Sequence, residues 1–190
     1  MKSVLISIQP KWCELIANGK KTVEVRKTNP KLETPFKVYI YCTKNKEKRI
    51  GSWLNLYCDS GQVSTDIKLE DVCYQLNGKV IGEFVCDVIY ETELIEERQT
   101  VARHYPRPWW YNGADDCLHH TELENYLQGK TGYGWHISNL VIYDKPRELS
   151  EFRSYNIRAY FDEEIKLPMP THEITRPPRS WCYVESEVTV

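Results

Sequence analysis

Short apolar runs rich in β-branched residues recur along the whole chain, and Gly, Pro or Asn residues separate them. Runs of this kind are typical of strands, and several of them with tight breaks favour a small barrel. We therefore predict an α+β fold, a small mixed β-barrel of about six strands with flanking helices. Gly82 lies inside the longest run and predicts a bulge or a barrel corner. The predicted strands are residues 3–8, 21–27, 36–42, 79–91, 135–143 and 181–188.

Other segments predict short helices. Residues 10–18 begin with Pro10, which suits a first helical turn, and end at Asn18-Gly19, which suits a left-handed cap. Residues 121–127 predict a second helix, and a Pro-led turn precedes a further short helix at about 148–153.

Length and composition indicate one domain over residues 1–190, with residues at about 92–134 as an insertion of mixed character. No apolar run approaches the roughly 18 residues that a membrane-spanning helix needs, so no membrane partner is expected. The first residues predict a strand rather than a secretion signal. Seven widely spaced cysteines, an odd number without a C-x-x-C pair, favour reduced thiols and a cytoplasmic location.

Charge is distributed unevenly along the chain. Residues 1–51 contain 12 Lys and Arg against 4 Asp and Glu, whereas residues 52–190 contain 13 against 23. A net charge of +8 in the first segment, in a chain of net charge −2, indicates a basic face on an acidic body. The alternative is that these lysines only keep the surface solvated.

One short motif is more specific than these patterns. Gly19, Lys21, Glu24 and Arg26 stand in a G-x-K-x-x-E-x-R arrangement directly after the first predicted helix. This arrangement resembles the signature of the ASCH family, of bacterial or phage type. Three later blocks also resemble that family, at residues 78–87, 133–152 and 176–184.

The resemblance implies a PUA-like barrel that binds RNA or nucleotides in a cleft floored by the motif strand. One bacterial branch of the family hydrolyses the acetyl amide of N4-acetylcytidine with a Lys–Thr–Glu set. Some members are described as ribonucleases, and others are attached to transcription coactivators. Three functions therefore stay open for this chain: an RNA- or nucleotide-binding protein, a nucleoside amidohydrolase or ribonuclease, and a protein-interaction module.

The motif residues carry chemistry that suits such a cleft. Glu24 and Arg26 share one strand face and can pair, and a solvated ion-pair ladder is the alternative. Arg26 offers a planar fork to phosphate, while Lys21 and Glu24 are the catalytic residues if the protein is an enzyme. The predicted ligand-binding residues are Lys20, Lys21, Thr22, Glu24, Arg26, Trp135, His136, Arg179 and Trp181.

The amidase interpretation meets a departure in this sequence. Glu24 stands where that branch has Thr, and Thr22 points away from the position that the branch uses. Asp115 or Asp116 is the expected acidic partner if that chemistry is present. Residues 104–111, dense in aromatics and prolines, predict a lid over the cleft or a plug in the barrel.

No metal or cofactor is expected. The segment 117–120 supplies one Cys-His cluster, whereas a zinc site usually needs two. Trp12 is expected in the core. Trp135 and Trp181 are candidates for stacking on bases, and a place in the core is the alternative for both.

Overall fold

The computed structural model describes residues 2–44, 78–95, 99–102, 120–155 and 171–185. These ranges contain eleven strands, two α-helices and one 3-10 turn. In chain order the elements are β1 (Lys2–Ile8), α1 (Pro10–Ala17), β2 (Val23–Arg26), β3 (Phe36–Cys42), β4 (Val80–Cys86), β5 (Ile89–Ile95), β6 (Gln99–Ala102), α2 (His120–Leu127), β7 (Gly132–His136), β8 (Ser138–Arg147), the 3-10 turn (Leu149–Glu151), β9 (Arg153–Tyr155), β10 (Thr171–Glu173) and β11 (Trp181–Glu185).

The strands form two sheets. The larger has seven strands in the order β10-β9-β11-β1-β3-β4-β8, and the smaller has four in the order β2-β7-β5-β6. Strand β1 runs parallel to β3, and the other paired strands are antiparallel. The fold is mixed and sheet-dominated with few helices. Strand pairing among the described residues closes neither sheet into a barrel.

The predicted total of about six strands is wrong for two reasons: two predicted strands each contain a corner, and three short strands, β6, β9 and β10, form where no strand was predicted. Residues 79–91 break at 87–88 into β4 and β5, which belong to different sheets. Residues 135–143 break at Ile137 between β7 and β8, also in different sheets. The first corner falls on Asp87 and Val88 and the second on Ile137, so neither contains a Gly or Pro that would mark a break in the sequence.

Two further local predictions have opposite outcomes. The bulge predicted at Gly82 is confirmed, since pairing of β4 with β8 shifts register beside it. A Cβ at this position would lie 2.4 Å from the Val141 carbonyl oxygen, so the close approach requires glycine. The helix predicted at about 148–153 is wrong in extent: only the 3-10 turn Leu149–Glu151 forms, and β9 follows it.

The centre of the larger sheet is buried on both faces. Val4, Ile6 and Ile8 of β1 pack on one side, in the same core cluster as residues of α1 and Trp135 of the smaller sheet. Leu5 packs on the other side with residues such as Phe152. The first core therefore joins both sheets to α1, and that junction is where the motif lies. No helix within the described ranges is long and apolar enough to cross a membrane.

Candidate nucleotide-binding cleft

The end of α1 sets the position of the motif strand. The N–H of Lys20 donates to the Leu15 carbonyl at 2.9 Å, and the N–H of Gly19 donates to the Ile16 carbonyl at 2.9 Å. This pair of bonds is a Schellman cap, and Gly19 takes the left-handed φ of 66° that it requires. The N–H of Lys21 also donates to the Leu15 carbonyl, at 3.0 Å, which ties the first motif lysine to the helix end.

Three charged side chains of the motif are buried together. Lys21, Glu24 and Arg26 are 2%, 6% and 7% exposed. Lys21 Nζ lies 3.4 Å from Glu24 Oε2, and Arg26 Nη2 lies 2.9 Å from Glu24 Oε1. Each carboxylate oxygen therefore meets one cation. We call these three residues the floor cluster. Its burial contradicts the alternative of a solvated ion-pair ladder.

Strand β2 alternates as its sequence predicts, but both of its faces are covered. Val25 packs against Leu123 and Leu127 of α2, whereas Glu24 is the register partner of Trp135 on β7. Opposite partners in an antiparallel pair project to the same face. The charged face of β2 is therefore turned toward the interior between the sheets, which explains why the cluster loses contact with solvent.

Arg26 also holds the cluster to β1. Its Nη2 donates to the Ser7 carbonyl at 2.7 Å, whereas its Nε is buried without a hydrogen-bond partner. An unsatisfied donor of this kind is costly and suits a site that receives an acceptor from a ligand or water.

A cleft of about 620 Å³ opens above the floor cluster. Its walls come from the start of α1, from α2, and from the segment 177–180 that precedes β11. The lining residues are Ser7, Ile8, Gln9, Trp12, Lys21, Glu24, Val25, Arg26, Lys27, Thr28, Thr43, Glu122, Tyr126, Pro177, Pro178, Arg179 and Ser180.

The segment 177–180 is fixed to β1 by Ser7. The Ser7 hydroxyl donates to the Pro178 carbonyl at 2.7 Å, and the Ser7 N–H donates to the Ser180 carbonyl at 2.9 Å. Next to it, the indole N–H of Trp181 donates to Thr28 Oγ1 at 2.9 Å. One wall of the cleft is thus built from residues far apart in sequence but hydrogen-bonded together.

Two aromatic side chains are among the described residues that line the cleft, and lysine ammonium groups lie over both rings. Lys11 and Lys21 lie over the Trp12 ring, 4.2 Å and 5.2 Å from its centroid. Lys27 lies 5.0 Å from the centroid of the Tyr126 ring. Burial raises the pKa of the Tyr126 hydroxyl, so this wall residue stays a neutral phenol at physiological pH.

The structure brings together only part of the predicted site. Lys21, Glu24, Arg26 and Arg179 line the cleft, whereas Lys20, Thr22, Trp135, His136 and Trp181 are not among its lining residues.

The remaining predicted residues have other partners. Trp135 is fully buried, with its ring centroid 6.0 Å from that of Phe36, and therefore has no surface for a base to stack on. His136 Nδ1 lies 2.6 Å from Asp87 Oδ1, and Trp181 is bonded to Thr28. Trp12, which was expected in the core, packs against the core and also lines the cleft.

Sequence reasoning missed Lys27 and Tyr126. Lys27 directly follows the motif, so its proximity was a usable signal. Tyr126 gives no such signal, since only the packing of α2 on Val25 brings it to the cleft.

Several predictions fall outside the described residues. They concern the predicted lid or plug at 104–111, the candidate acids Asp115 and Asp116, and most of the 117–120 cluster. Within the part of the chain that the structure describes, no group of three or more His, Cys, Asp or Glu side chains is arranged to hold a metal.

A buried thiol lies beneath the cleft. Cys13 of α1 donates to the Ile8 carbonyl at 3.6 Å. Burial raises its pKa well above the usual value, and the nearby Cys42 thiol raises it further. This thiol is therefore a neutral packing group rather than a nucleophile.

The chain is similar to known proteins of one family. The family model of the ASCH domain matches residues 6–143. The structure of ASCH from Zymomonas mobilis aligns at 16% identity and a TM-score of 0.48, over 97% of this chain and 89% of that chain. A mutant of the same Zymomonas mobilis protein aligns at 16% identity and a TM-score of 0.49, over 97% and 91%. No curated protein matches the chain.

Proposed function

The chain belongs to the ASCH domain family, a PUA-like group of the RNA-binding type, and from that premise we propose that it binds RNA or a nucleotide-like ligand in the cleft above the floor cluster. The observation that carries the proposal is the burial of Lys21, Glu24 and Arg26 directly beneath a cleft of about 620 Å³.

The buried charges of the floor cluster support a role in ligand binding, because a contribution to stability does not account for their burial. An ion pair taken out of water gains little over apolar residues of the same volume. A site that retains two cations and a carboxylate on its floor, with an unsatisfied Arg26 donor, has groups placed for a polar ligand. Pockets for small ligands combine such groups with apolar and aromatic walls.

The walls fit the chemistry of a nucleotide. Trp12 and Tyr126 offer aromatic surface, and base stacking on an aromatic ring contributes about 1–3 kcal/mol per base. The exposed Lys27 and Arg179 give the mouth a positive charge. The volume of the cleft lies within the range of roughly 300–1,000 Å³ that is usual for ligand pockets. If the ligand is RNA, one unstacked nucleotide would therefore occupy the cleft.

The test is fluorescence anisotropy of a short labelled single-stranded RNA at low and moderate salt. We expect salt-sensitive binding that Lys21→Ala/Arg26→Ala abolishes. Because this double variant removes buried groups, Tyr126→Leu provides a milder second variant, expected to weaken binding by about fivefold or more. Lys145→Ala, an exposed lysine of β8 that does not line the cleft, is the matched control and should bind normally.

Two outcomes contradict the proposal. If the folded protein does not bind the RNA at low salt, RNA is excluded as the ligand. Titration with the four ribonucleoside monophosphates then tests whether the ligand is a free nucleotide. If neither class binds while the chain co-purifies with a protein, an interaction module explains the data better.

A second candidate, hydrolysis of a modified nucleoside or of RNA, is favoured by the placement of Lys21. Its amine lines the cleft, is 2% exposed, and lies 3.4 Å from Glu24. Hydrolysis of an acetyl amide adds water across the C–N bond and releases acetate and the free amine. Release of acetate from N4-acetylcytidine, followed by chromatography, tests this candidate, and Lys21→Arg should abolish turnover while the protein remains folded.

We also propose that the two sheets are halves of one PUA-like barrel in a single domain. The corners after β4 and β7 support this, since each passes the chain from one sheet to the other within one or two residues. The presence of Trp135 in the core of the larger sheet supports it as well.

A further inference from the structure

Two exposed cations stand on the rim of the cleft, apart from the floor cluster. Lys27 follows β2 directly, and Arg179 lies in the segment before β11. Both are exposed and both line the cleft. We call these two residues the rim pair.

Hydrogen bonds join the segment that carries Lys27 to the segment that carries Arg179. Thr28, the neighbour of Lys27, accepts from the indole of Trp181 at 2.9 Å. Ser7 binds the carbonyls on either side of Arg179, those of Pro178 and Ser180. The backbone that carries each cation is therefore fixed, although the side chains themselves are in solvent.

The rim pair differs from the floor cluster in its charge balance. Lys21 and Arg26 on the floor share the Glu24 carboxylate. Among the described residues that line the cleft, the other carboxylate is that of Glu122, which is paired with Lys11 at 3.0 Å. Within the described residues no carboxylate lies within ion-pair distance of either rim cation, and the contact found for Lys27 is with the Tyr126 ring.

This difference decides where an anionic group would bind. A phosphate on the floor would lie beside the Glu24 carboxylate and would compete with it for Arg26, whose Nη2 already serves Glu24 and Ser7. A phosphate at the rim meets two cations that do not have to leave a carboxylate in order to bind it. Both cations also stay hydrated on the sides that the phosphate does not cover. The rim is thus the favourable end for negative charge, and the floor suits the neutral polar groups of a base or sugar.

We infer that the rim pair binds a phosphate group of the ligand, so that the cleft takes phosphorylated nucleotides rather than nucleosides. This inference rests on the proposed function and specifies its ligand class and orientation. The phosphate is a terminal monoester in a free nucleotide or a diester in single-stranded RNA, since both present the same anionic oxygens.

Calorimetric titration with matched ligands tests the inference. The probes are the four ribonucleosides, their 5′-monophosphates, and a short single-stranded RNA without a terminal phosphate. In the unmodified protein we expect at least one phosphorylated probe to bind about tenfold or more tighter than the nucleosides, as expected for charge-assisted hydrogen bonds. Preference for the monophosphates indicates the monoester, and preference for the RNA indicates the diester.

The variants are Lys27→Gln, Arg179→Gln and the two combined. They should remove the advantage of the phosphorylated probes, so that the ratio of nucleotide affinity to nucleoside affinity falls to about one. For RNA, the combined variant should also reduce the slope of log affinity against log salt by about 0.7, the value for one lost phosphate contact. Arg176→Gln is the matched control for Arg179, because Arg176 is exposed in the same segment and does not line the cleft.

The possible results distinguish the phosphate inference from the proposed binding function. Equal affinity for nucleosides and phosphorylated probes, or a rim variant that weakens both alike, overturns the inference while the binding function stands. Failure of every probe to bind a folded protein overturns the binding function, and the inference with it.

Discussion

Replacing Glu24 with glutamine tests whether the floor cluster is buried as the structure describes. The substitution keeps the shape of the side chain but removes the charge that Lys21 and Arg26 share, at 3.4 Å and 2.9 Å. Both cations are almost entirely out of solvent, so water compensates little for the loss. We therefore expect a large decrease in the free energy of unfolding.

The size of the decrease follows from the contacts. Removing one partner of a buried ion pair costs about 3–5 kcal/mol. The glutamine amide keeps one acceptor oxygen, which places Glu24→Gln near the lower value of about 3 kcal/mol and Glu24→Ala near about 5 kcal/mol. Total stability is about 5–15 kcal/mol for a native protein, and each kcal/mol lowers Tm by roughly 2–4 °C at this chain length. Glu24→Gln should then lower Tm by about 6–12 °C.

The assay is urea unfolding followed by tryptophan fluorescence. The slope m of the unfolding free energy against urea concentration should be the same for each variant, so that a shifted midpoint reports a change in stability. A companion variant, Lys21→Met/Glu24→Leu/Arg26→Met, replaces the whole cluster with apolar side chains. It should lose less stability than Glu24→Gln, because no charge stays buried, although the Ser7 carbonyl loses its bond to Arg26 at a cost of about 1–2 kcal/mol. The companion variant should bind no ligand.

Two results would refute this reasoning. A loss below about 1 kcal/mol for Glu24→Gln would mean that the cluster behaves like a surface ion pair. A companion variant less stable than Glu24→Gln would mean that the cluster is maintained for stability, which removes the physical argument for a binding role.

Three further predictions concern other parts of the fold. Gly19→Ala should lower the free energy of unfolding by about 1 kcal/mol, because φ at this cap is 66°, although no atom lies within 4 Å of an added Cβ. Gly19→Asn should lower it less, because Asn tolerates the left-handed conformation better. The Tm of each variant measures the loss. Gly82→Ala should cost about 1–3 kcal/mol, because its Cβ would lie 2.4 Å from the Val141 carbonyl oxygen, and urea unfolding measures the loss. Burial raises the pKa of the Cys86 thiol from 9.0 to about 12. The stability that this neutral thiol contributes should therefore be fully present below pH 9 and should be lost as pH rises to about 12. Cys86→Ala should flatten that fall in urea midpoints measured across the range.

The motif region could be predicted from sequence because its structure is local. Pro10 begins the first helix, Gly19 ends it with a left-handed cap, and the next residues alternate as a strand. These features depend on neighbours within a few positions. The family assignment, which rests on the same residues, is confirmed by the match over residues 6–143.

The corners and the walls could not be predicted because they depend on distant contacts. The chain leaves one sheet for the other after β4, yet no Gly or Pro marks the corner. Trp135 carries the pattern of a half-exposed strand, and only packing against Phe36 and Trp181 reveals that it is buried. Tyr126 reaches the cleft through helix packing that has no counterpart in the local sequence.

This division between local and distant structure explains why the motif identifies the family but leaves the ligand open. The three side chains of the floor cluster come from one short segment that directly follows a capped helix, and they pair with one another. The rim depends on a hydrogen bond that joins Trp181 to Thr28 across 153 positions, and on the tie between Ser7 and Pro178. These distant segments decide which charges surround the mouth. Ligand choice should therefore change with residues such as Lys27, Arg179 and Tyr126, even where the motif itself is kept.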